Sequence, residues 1–151
     1  MEHSEGTVGR AFVITLQDGD VLHESIERFA SEMRISSATV TAVGGVDKGS
    51  RLTVGPLVPL TSPIVPLYHV LDAPHEFTGA GTIFPDRDGR PVLHMHGSCG
   101  REGRAVTGCV RAGVTAWLTL EVVITEIKGV GARRLMDEES GFELLAPVPK
   151  G

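Results

Sequence analysis

The sequence predicts one α/β (α+β) domain, a mostly antiparallel sheet backed by helix. Three observations predict it: an ordinary globular composition, one amphipathic helical pattern near the N-terminus, and a long series of β patterns separated by turns. Hydrophobic residues make up 41% of the 151 residues and charged residues 22%, close to globular averages. A chain of this length fits one core, since domains usually run to roughly 100–200 residues.

The N-terminal part predicts a strand, a turn and a helix. Phe12 to Leu16 alternates around β-branched residues and stops at Asp18-Gly19-Asp20, which is typical of a strand that ends in a turn. Asp20 is the expected N-cap of the helix. Apolar residues then recur at spacings of three and four and define one helical face: Leu22, Ile26, Phe29, Ala30 and Met33.

The rest of the chain predicts further strands. Ser36 to Val46 is rich in Thr, Val and Ala, and its Gly44-Gly45 predicts a strand exit with permissive backbone angles. Pro85 to Gly89 and Gly100 to Arg104 are turn signals. The tail predicts a turn and a last short strand within residues 137–145. The other predicted strands are Ser50–Val54, Tyr68–Leu71, Glu76–Ile83, Val92–Ser98, Ala105–Val110 and Thr115–Ile127. We expect the domain to span residues 8–147, with flexible termini at 1–7 and 148–151.

A proline-rich segment interrupts this series between residues 55 and 67. It holds Pro56, Pro59, Pro63 and Pro66 among Leu, Val and Ile, with almost no charge. Because proline cannot donate to a β ladder, the segment predicts an extended loop or a sheet edge. Two interpretations stay open: a surface loop over the core, or a subunit contact.

The net charge and the search for targeting or membrane segments limit the classes of protein to which this sequence can belong. The net charge of −5 argues against a general nucleic-acid-binding surface, which needs clustered positive charge. Two small arginine groups, Arg101/Arg104/Arg111 and Arg133/Arg134, are interpreted as solvated surface residues or subunit salt-bridge partners. Neither a signal peptide nor a membrane-spanning segment is indicated, so we expect a cytoplasmic protein whose two cysteines are reduced.

The sharpest chemical feature is His94-Met95-His96. Side chains at i and i+2 of a strand point to the same face, so the two imidazoles lie within chelating distance of each other. The alternative is an ordinary pair of surface histidines, hydrogen-bonded to neighbours or to water. A metal would need a third protein ligand.

The turn at Gly100–Arg104 offers that ligand by returning the strand on itself. If Glu102 and Gly103 are its two central residues, His96 faces Cys109 and His94 faces Arg111. Moving the turn centre by half a residue pairs His96 with Gly108 instead and sends Cys109 to the opposite face.

Other ligand candidates are weaker. Cys99 is an odd number of residues from both histidines, so it points away and is interpreted as a small buried hydrophobe. His69, His75 and Glu76 lie on preceding strands and are second choices. Imidazole and thiolate together favour zinc, with iron or nickel behind it. Three protein ligands would leave one position open for water. As acids or bases, Glu102 and Glu76 are weak candidates, and the sequence assigns no catalytic residue.

The sequence as a whole resembles the PPC family, the "plants and prokaryotes conserved" domain. The resemblance covers nearly the whole chain and is far more specific than the His-x-His pattern alone. It rests on these segments: Gly9–Phe12, Gly19–Leu22, Ile26–Ala30, Ala42–Val46, Glu76–Ile83, Leu93–Ser98, Gly108–Val110, Glu121–Glu126 and Arg133–Leu145.

The resemblance implies a compact α/β fold assembled as a homotrimer. Prokaryotic members look like metal binders that use the two histidines of this strand and a third histidine in a Gly-Gly-His-Leu type segment on the next strand. Cys109 occupies that third position here, so the implied ligands are His94, His96 and Cys109. Plant members join the domain to a basic AT-hook. This sequence has none, so DNA binding does not carry over directly.

Three hypotheses of function follow. The first is a metal-binding, oligomeric module of unknown biochemical activity, regulatory and associated with DNA through other proteins. The second is a metal-dependent hydrolase that uses a zinc-bound water on a small-molecule substrate. The third is a purely structural site that stiffens the sheet.

Overall fold

The computed structural model describes residues 2–59, 64–138 and 141–147. Within these ranges the chain forms one α-helix and ten strands. They are β1 (Thr7–Gln17), α1 (Leu22–Glu32), β2 (Ala38–Val46), β3 (Arg51–Pro56), β4 (Pro66–Val70), β5 (His75–Pro85), β6 (Pro91–Arg101), β7 (Arg104–Cys109), β8 (Ala116–Lys128), β9 (Ala132–Met136) and β10 (Glu143–Pro147). A short 3-10 helix, Val110–Ala112, follows β7.

Eight of the described strands form one sheet in the order β1-β8-β2-β5-β6-β7-β3-β4. Every neighbouring pair in it is antiparallel. The last two strands, β9 and β10, form an antiparallel hairpin of their own, which confirms the short final strand. The predicted class, a mostly antiparallel sheet backed by helix, is therefore confirmed.

The core lies between α1 and one face of the large sheet. Leu22, Ile26 and Ala30 of the helix are fully buried, and the Glu27 side chain accepts a hydrogen bond from the Leu93 backbone N–H at 2.8 Å. Strand residues alternate between this core and the other side of the sheet, which we call the open face. The core side chains from the strands include Val40, Ala42, Phe77, Leu93, Met95, Cys99, Leu120, Val122 and Ile124.

The start of α1 differs from the prediction. The helix begins at Leu22 with Val21 as its N-cap, and no side chain caps it. Asp20 instead accepts a hydrogen bond from the Gln17 backbone N–H at 2.9 Å. The expected N-cap is therefore wrong, because the Asp20 carboxylate stabilises the preceding turn and Val21 forms a β-bridge with Thr115.

The proline-rich segment joins β3 to β4. Pro56 pairs with Pro66, and Leu57 N–H donates to Val65 O at 2.8 Å. Since β4 is an edge strand, the sheet-edge interpretation is confirmed for the described part, and residues 60–63 lie outside it. The subunit contact stays a prediction, as do the domain limits 8 and 147. No helix in the described ranges is long and apolar enough to cross a membrane.

Candidate metal centre

Three potential metal ligands converge on the open face. His94 and His96 lie on β6, both exposed, with ring centroids 5.0 Å apart and rings at 86°. Cys109, the last residue of β7, stands directly opposite His96. The ligand atoms of all three side chains lie within 4.8 Å of one another. We call these residues the His/His/Cys cluster.

The β6–β7 turn fixes this arrangement. Glu102 and Gly103 have φ angles of 52° and 75°, and Arg101 pairs with Arg104. Two central residues with positive φ are the signature of a type I′ hairpin turn, whose twist matches the flanking strands. The register that places Cys109 beside His96 is therefore the observed one, and the alternative register is not.

The predicted partner of His94 is wrong. Arg111 does not face it across a ladder, because β7 ends at Cys109 and the chain turns into the 3-10 helix. The backbone leaves the sheet there, and Gly113, with φ at 109°, ends this turn. Arg111 still lies near enough to His94 to affect its protonation.

The donor set fits a divalent metal. Zinc binds imidazole nitrogen at about 2.0–2.1 Å and thiolate at about 2.3 Å, so the N–N and N–S separations in a tetrahedral site are roughly 3.3–3.6 Å. The 4.8 Å limit of the cluster exceeds this by about one ångström, which rotation of two exposed imidazoles can close. Two nitrogens and one sulfur also match the soft and borderline ligands that zinc prefers.

The electrostatic surroundings of His94 favour its neutral form. Partial desolvation lowers its pKa, and the positive charges of Arg134, His96 and Arg111 lower the pKa further. A metal ligand must be the neutral imidazole. The surroundings therefore favour the form of His94 that coordination needs.

Arg134 is the residue near the cluster whose burial the sequence prediction missed. It was expected at the surface, but only 4% of it is exposed. Its Nη2 donates to the Thr82 hydroxyl at 3.0 Å, and Thr82 pairs with His94 across β5 and β6. This burial depends on the contact of Arg134 with Thr82 on another strand, so no local pattern in the sequence indicates it.

The remaining candidates lie elsewhere. Cys99 is fully buried in the core, and burial raises its pKa to about 11, so its interpretation as a buried hydrophobe is confirmed. His69 and His75 line a separate cavity of about 770 Å³ together with Arg101. Glu76 pairs with Gly100, four residues beyond His96 and about 13 Å along the strand.

A shallow groove of about 500 Å³ extends from His96 across the open face. Its lining carries four hydroxyl groups and one carboxylate: Thr41, Thr78, Ser98, Thr107 and Glu121. These residues come from five strands that the sheet order brings together, so no local pattern predicts them. The groove leaves room beside His96 for a small ligand.

Known proteins share this fold. A metal-containing protein from Archaeoglobus fulgidus is 24% identical to this chain and superposes on it with a TM-score of 0.82. The match covers 97% of this chain and 99% of that chain. A plant- and prokaryote-conserved (PPC) protein from Pyrococcus horikoshii is 21% identical with a TM-score of 0.83, over 98% and 99% of the two chains. A proposed DNA-binding protein from Bacteroides thetaiotaomicron is 16% identical with a TM-score of 0.76, over 96% and 98%. At these identities the likeness establishes the fold alone.

Sequence comparison identifies the family. No curated protein matches the chain. The sequence model of the Plants and Prokaryotes Conserved (PCC) domain, the family abbreviated PPC above, matches residues 3–128. That match spans most of the chain and includes all three residues of the His/His/Cys cluster. The chain therefore belongs to the Plants and Prokaryotes Conserved domain family.

Proposed function

We propose that this protein is a metal-binding PPC module that holds one divalent ion, zinc first among the candidates, through His94, His96 and Cys109. The observation that carries the proposal is the convergence of two imidazoles and one thiol within 4.8 Å. The donor set supports zinc. A fold neighbour described as a metal-containing protein adds support.

Metal content after purification tests this proposal. Wild-type protein dialysed against zinc should retain about one ion per chain, and His94→Ala and Cys109→Ala should each lose it. His69→Ala is the matched control, since it removes an exposed imidazole outside the cluster, and Cys99→Ala removes the other thiol. Zinc retained by both cluster variants would refute the site, and zinc retained by Cys109→Ala alone would exclude the thiolate.

We also propose that the protein assembles as a homotrimer, as the family resemblance implies. The supporting feature is a row of apolar side chains on the open face. Val13 pairs with Val123, and Val123 pairs with Thr41 in the same row as His96. Val13 is 78% exposed and Val123 is 41% exposed. Exposed apolar patches favour contact with another protein surface.

Sedimentation equilibrium tests the assembly. The wild type should sediment at about three times the mass of one chain, and Val123→Glu should reduce it toward the monomer. Thr125→Glu, on the same strand but toward its end, is the matched control. A monomeric wild type would contradict the proposal.

The proposed biological role is regulatory, with DNA reached through the assembly and its partners. Some fold neighbours are described as proposed DNA-binding proteins, but this chain has a net charge of −5, which opposes direct contact with phosphates. In an electrophoretic retardation assay at about 0.15 M salt, the protein alone should not retain DNA. Retention that persists at this salt concentration would establish direct binding instead.

The hydrolase alternative requires a general base near the cluster. Glu102 lies at the tip of the β6–β7 turn, where 78% of its side chain is exposed, and Glu76 lies about 13 Å along the strand from His96. Because neither of the two candidate bases from the sequence is placed beside the cluster, the geometry supports metal binding and assembly best.

A further inference from the structure

A buried guanidinium lies beside the His/His/Cys cluster without a buried carboxylate to balance it. Arg134 reaches from the β9–β10 hairpin to β5, where its Nη2 donates to the Thr82 hydroxyl at 3.0 Å and the Thr82 carbonyl at 3.4 Å. Its Nε donates to the Val92 carbonyl at 3.4 Å. All these acceptors are neutral, and no other described residue accepts a hydrogen bond from this side chain. Buried charges are normally paired with an opposite charge. The Arg134 guanidinium has no such partner among the acceptors of its hydrogen bonds, so it remains able to bind an anion.

A second guanidinium approaches the same place. Arg111 lies two residues after Cys109 on the 3-10 helix and is exposed. It makes no hydrogen bond or ion pair within the described part of the chain. Its positive charge acts on both His94 and Arg134. Arg134 is hydrogen-bonded to Thr82, which pairs with His94, and Arg111 follows Cys109 closely in the chain, so both guanidiniums lie near the cluster.

The nearby negative charges do not neutralise this pair. Glu143 on β10 acts on Arg134, but it is exposed and also acts on Arg90. The other negative charge that acts on Arg134 is that of Cys109. In the proposed site this thiolate would coordinate the metal. A divalent ion in the cluster would add further positive charge. Two guanidiniums and a metal ion at one place repel each other unless an anion lies between them.

We infer that Arg134 and Arg111, next to the His/His/Cys cluster, form a binding site for a small oxyanion such as a carboxylate or a phosphate. This inference rests on the proposed metal site, because three protein ligands would leave one position open to an anion. Guanidinium groups bind both kinds of oxyanion through paired N–H donors. The open face admits such a ligand, because His94, His96 and Arg111 are all exposed.

A purely structural role is the competing explanation for Arg134, since its three hydrogen bonds also tie the β9–β10 hairpin to the sheet. That role predicts lower stability in Arg134 variants and no effect of Arg111. An anion site predicts that both arginines contribute to anion affinity. Arg111 therefore separates the two explanations, since no described hydrogen bond or ion pair holds it in the fold.

Anion titration of the cobalt-loaded protein tests the inference. Cobalt(II) in a cluster with a thiolate ligand absorbs visible light, and an anion at its open position changes that spectrum. Inorganic phosphate and acetate serve as separate probes, and the tighter one identifies the ligand class. Arg111→Gln and Arg134→Met should each weaken binding of that anion about tenfold or more, with cobalt content unchanged. Arg104→Gln, an exposed arginine at the β6–β7 turn, is the control and should leave the affinity unchanged.

The outcomes separate this inference from the metal proposal. If cobalt binds but Arg111→Gln and Arg134→Met keep wild-type anion affinity, the inference is wrong while the metal site stands. If cobalt does not bind, the metal proposal fails. Calorimetric phosphate titration of the metal-free protein then tests the anion site. Phosphate binding lost in Arg111→Gln supports the anion site, and no binding overturns it. If Arg134→Met does not fold, the anion affinity of Arg111→Gln alone decides.

Discussion

Glu126 on β8 accepts three hydrogen bonds from Arg10 on β1. The Arg10 Nη2 donates to its Oε1 at 2.8 Å, and the Arg10 Nε and backbone N–H donate to its Oε2 at 2.9 Å and 3.1 Å. The register of β1 shifts between Val8 and Ala11, so two residues oppose Glu126 there. This β-bulge turns Arg10 toward the carboxylate. Only 7% of Glu126 is exposed.

This ion pair predicts a pH dependence of stability. The hydrogen bonds and the charge of Arg10 lower the pKa of Glu126 from 4.5 to about 2. A depressed carboxylate pKa stabilises the fold above its unfolded value and loses that contribution as the pH falls through the folded value. The contribution is therefore complete above about pH 4.5 and lost toward pH 2.

Thermal unfolding of Glu126→Gln checks the direction of this pH dependence. Its Tm should lie a few degrees below the wild-type Tm at pH 7, and the difference should shrink as the pH falls from 4.5 to 2. Glu121→Gln, an exposed carboxylate on the same strand, should track the wild type. A difference that stays constant down to pH 2 would contradict the assigned role of the pair.

The sequence predicts those parts of the proposed metal site that depend on local geometry. His94 and His96 share a face because a strand alternates, and Cys109 meets His96 because a two-residue turn at Glu102-Gly103 sets the register. The burial of Arg134 could not be predicted, because it depends on how the β9–β10 hairpin packs against β5. The groove beside His96 depends on a non-sequential strand order, which local patterns do not encode.

Metal binding should stabilise the protein without being required for folding. The core lies on the face of the sheet opposite the His/His/Cys cluster, so the metal-free chain already buries its apolar side chains. Zinc at one hundred times its Kd should add about 2.7 kcal/mol, which raises the Tm by roughly 5–10 °C. His96→Ala should abolish this rise, and His75→Ala should preserve it. A chain that unfolds on addition of a chelator would contradict this independence.

The two cysteines should react at very different rates. Cys99 is fully buried, and burial raises its pKa to about 11, so it stays protonated and shielded at pH 8. Cys109 is only partly buried. In the native, metal-free protein, a disulfide reagent should therefore modify Cys109 quickly and Cys99 only after unfolding.

Single variants assign the fast thiol. Cys109→Ser should remove the rapid reaction and Cys99→Ala should keep it, while zinc should slow the reaction of the wild type. Two rapid thiols in the native protein would show that Cys99 is accessible, against its placement in the core.

Gly97 should tolerate no side chain, because it lies under an aromatic ring of the core. A Cβ at this position would fall 2.1 Å from Cε2 and 2.3 Å from Cζ of Phe77, and only 3% of Phe77 is exposed. Phe77 cannot move aside without displacing its neighbours in the core, so Gly97→Ala should lower the free energy of unfolding by about 1–3 kcal/mol. Equilibrium urea denaturation measures this loss.

A matched substitution on the same strand controls for the added methyl group. At Gly100 the nearest atom to a new Cβ is the Arg104 carbonyl oxygen at 3.9 Å, so Gly100→Ala should unfold close to the wild type. The double variant Phe77→Leu/Gly97→Ala should lose less stability than the two single changes together, because the smaller side chain makes room for the methyl group. Fully additive losses would show that the ring is not the obstacle. Because Gly97 follows His96 directly, any backbone shift caused by Gly97→Ala should also weaken zinc binding, and Gly100→Ala should not.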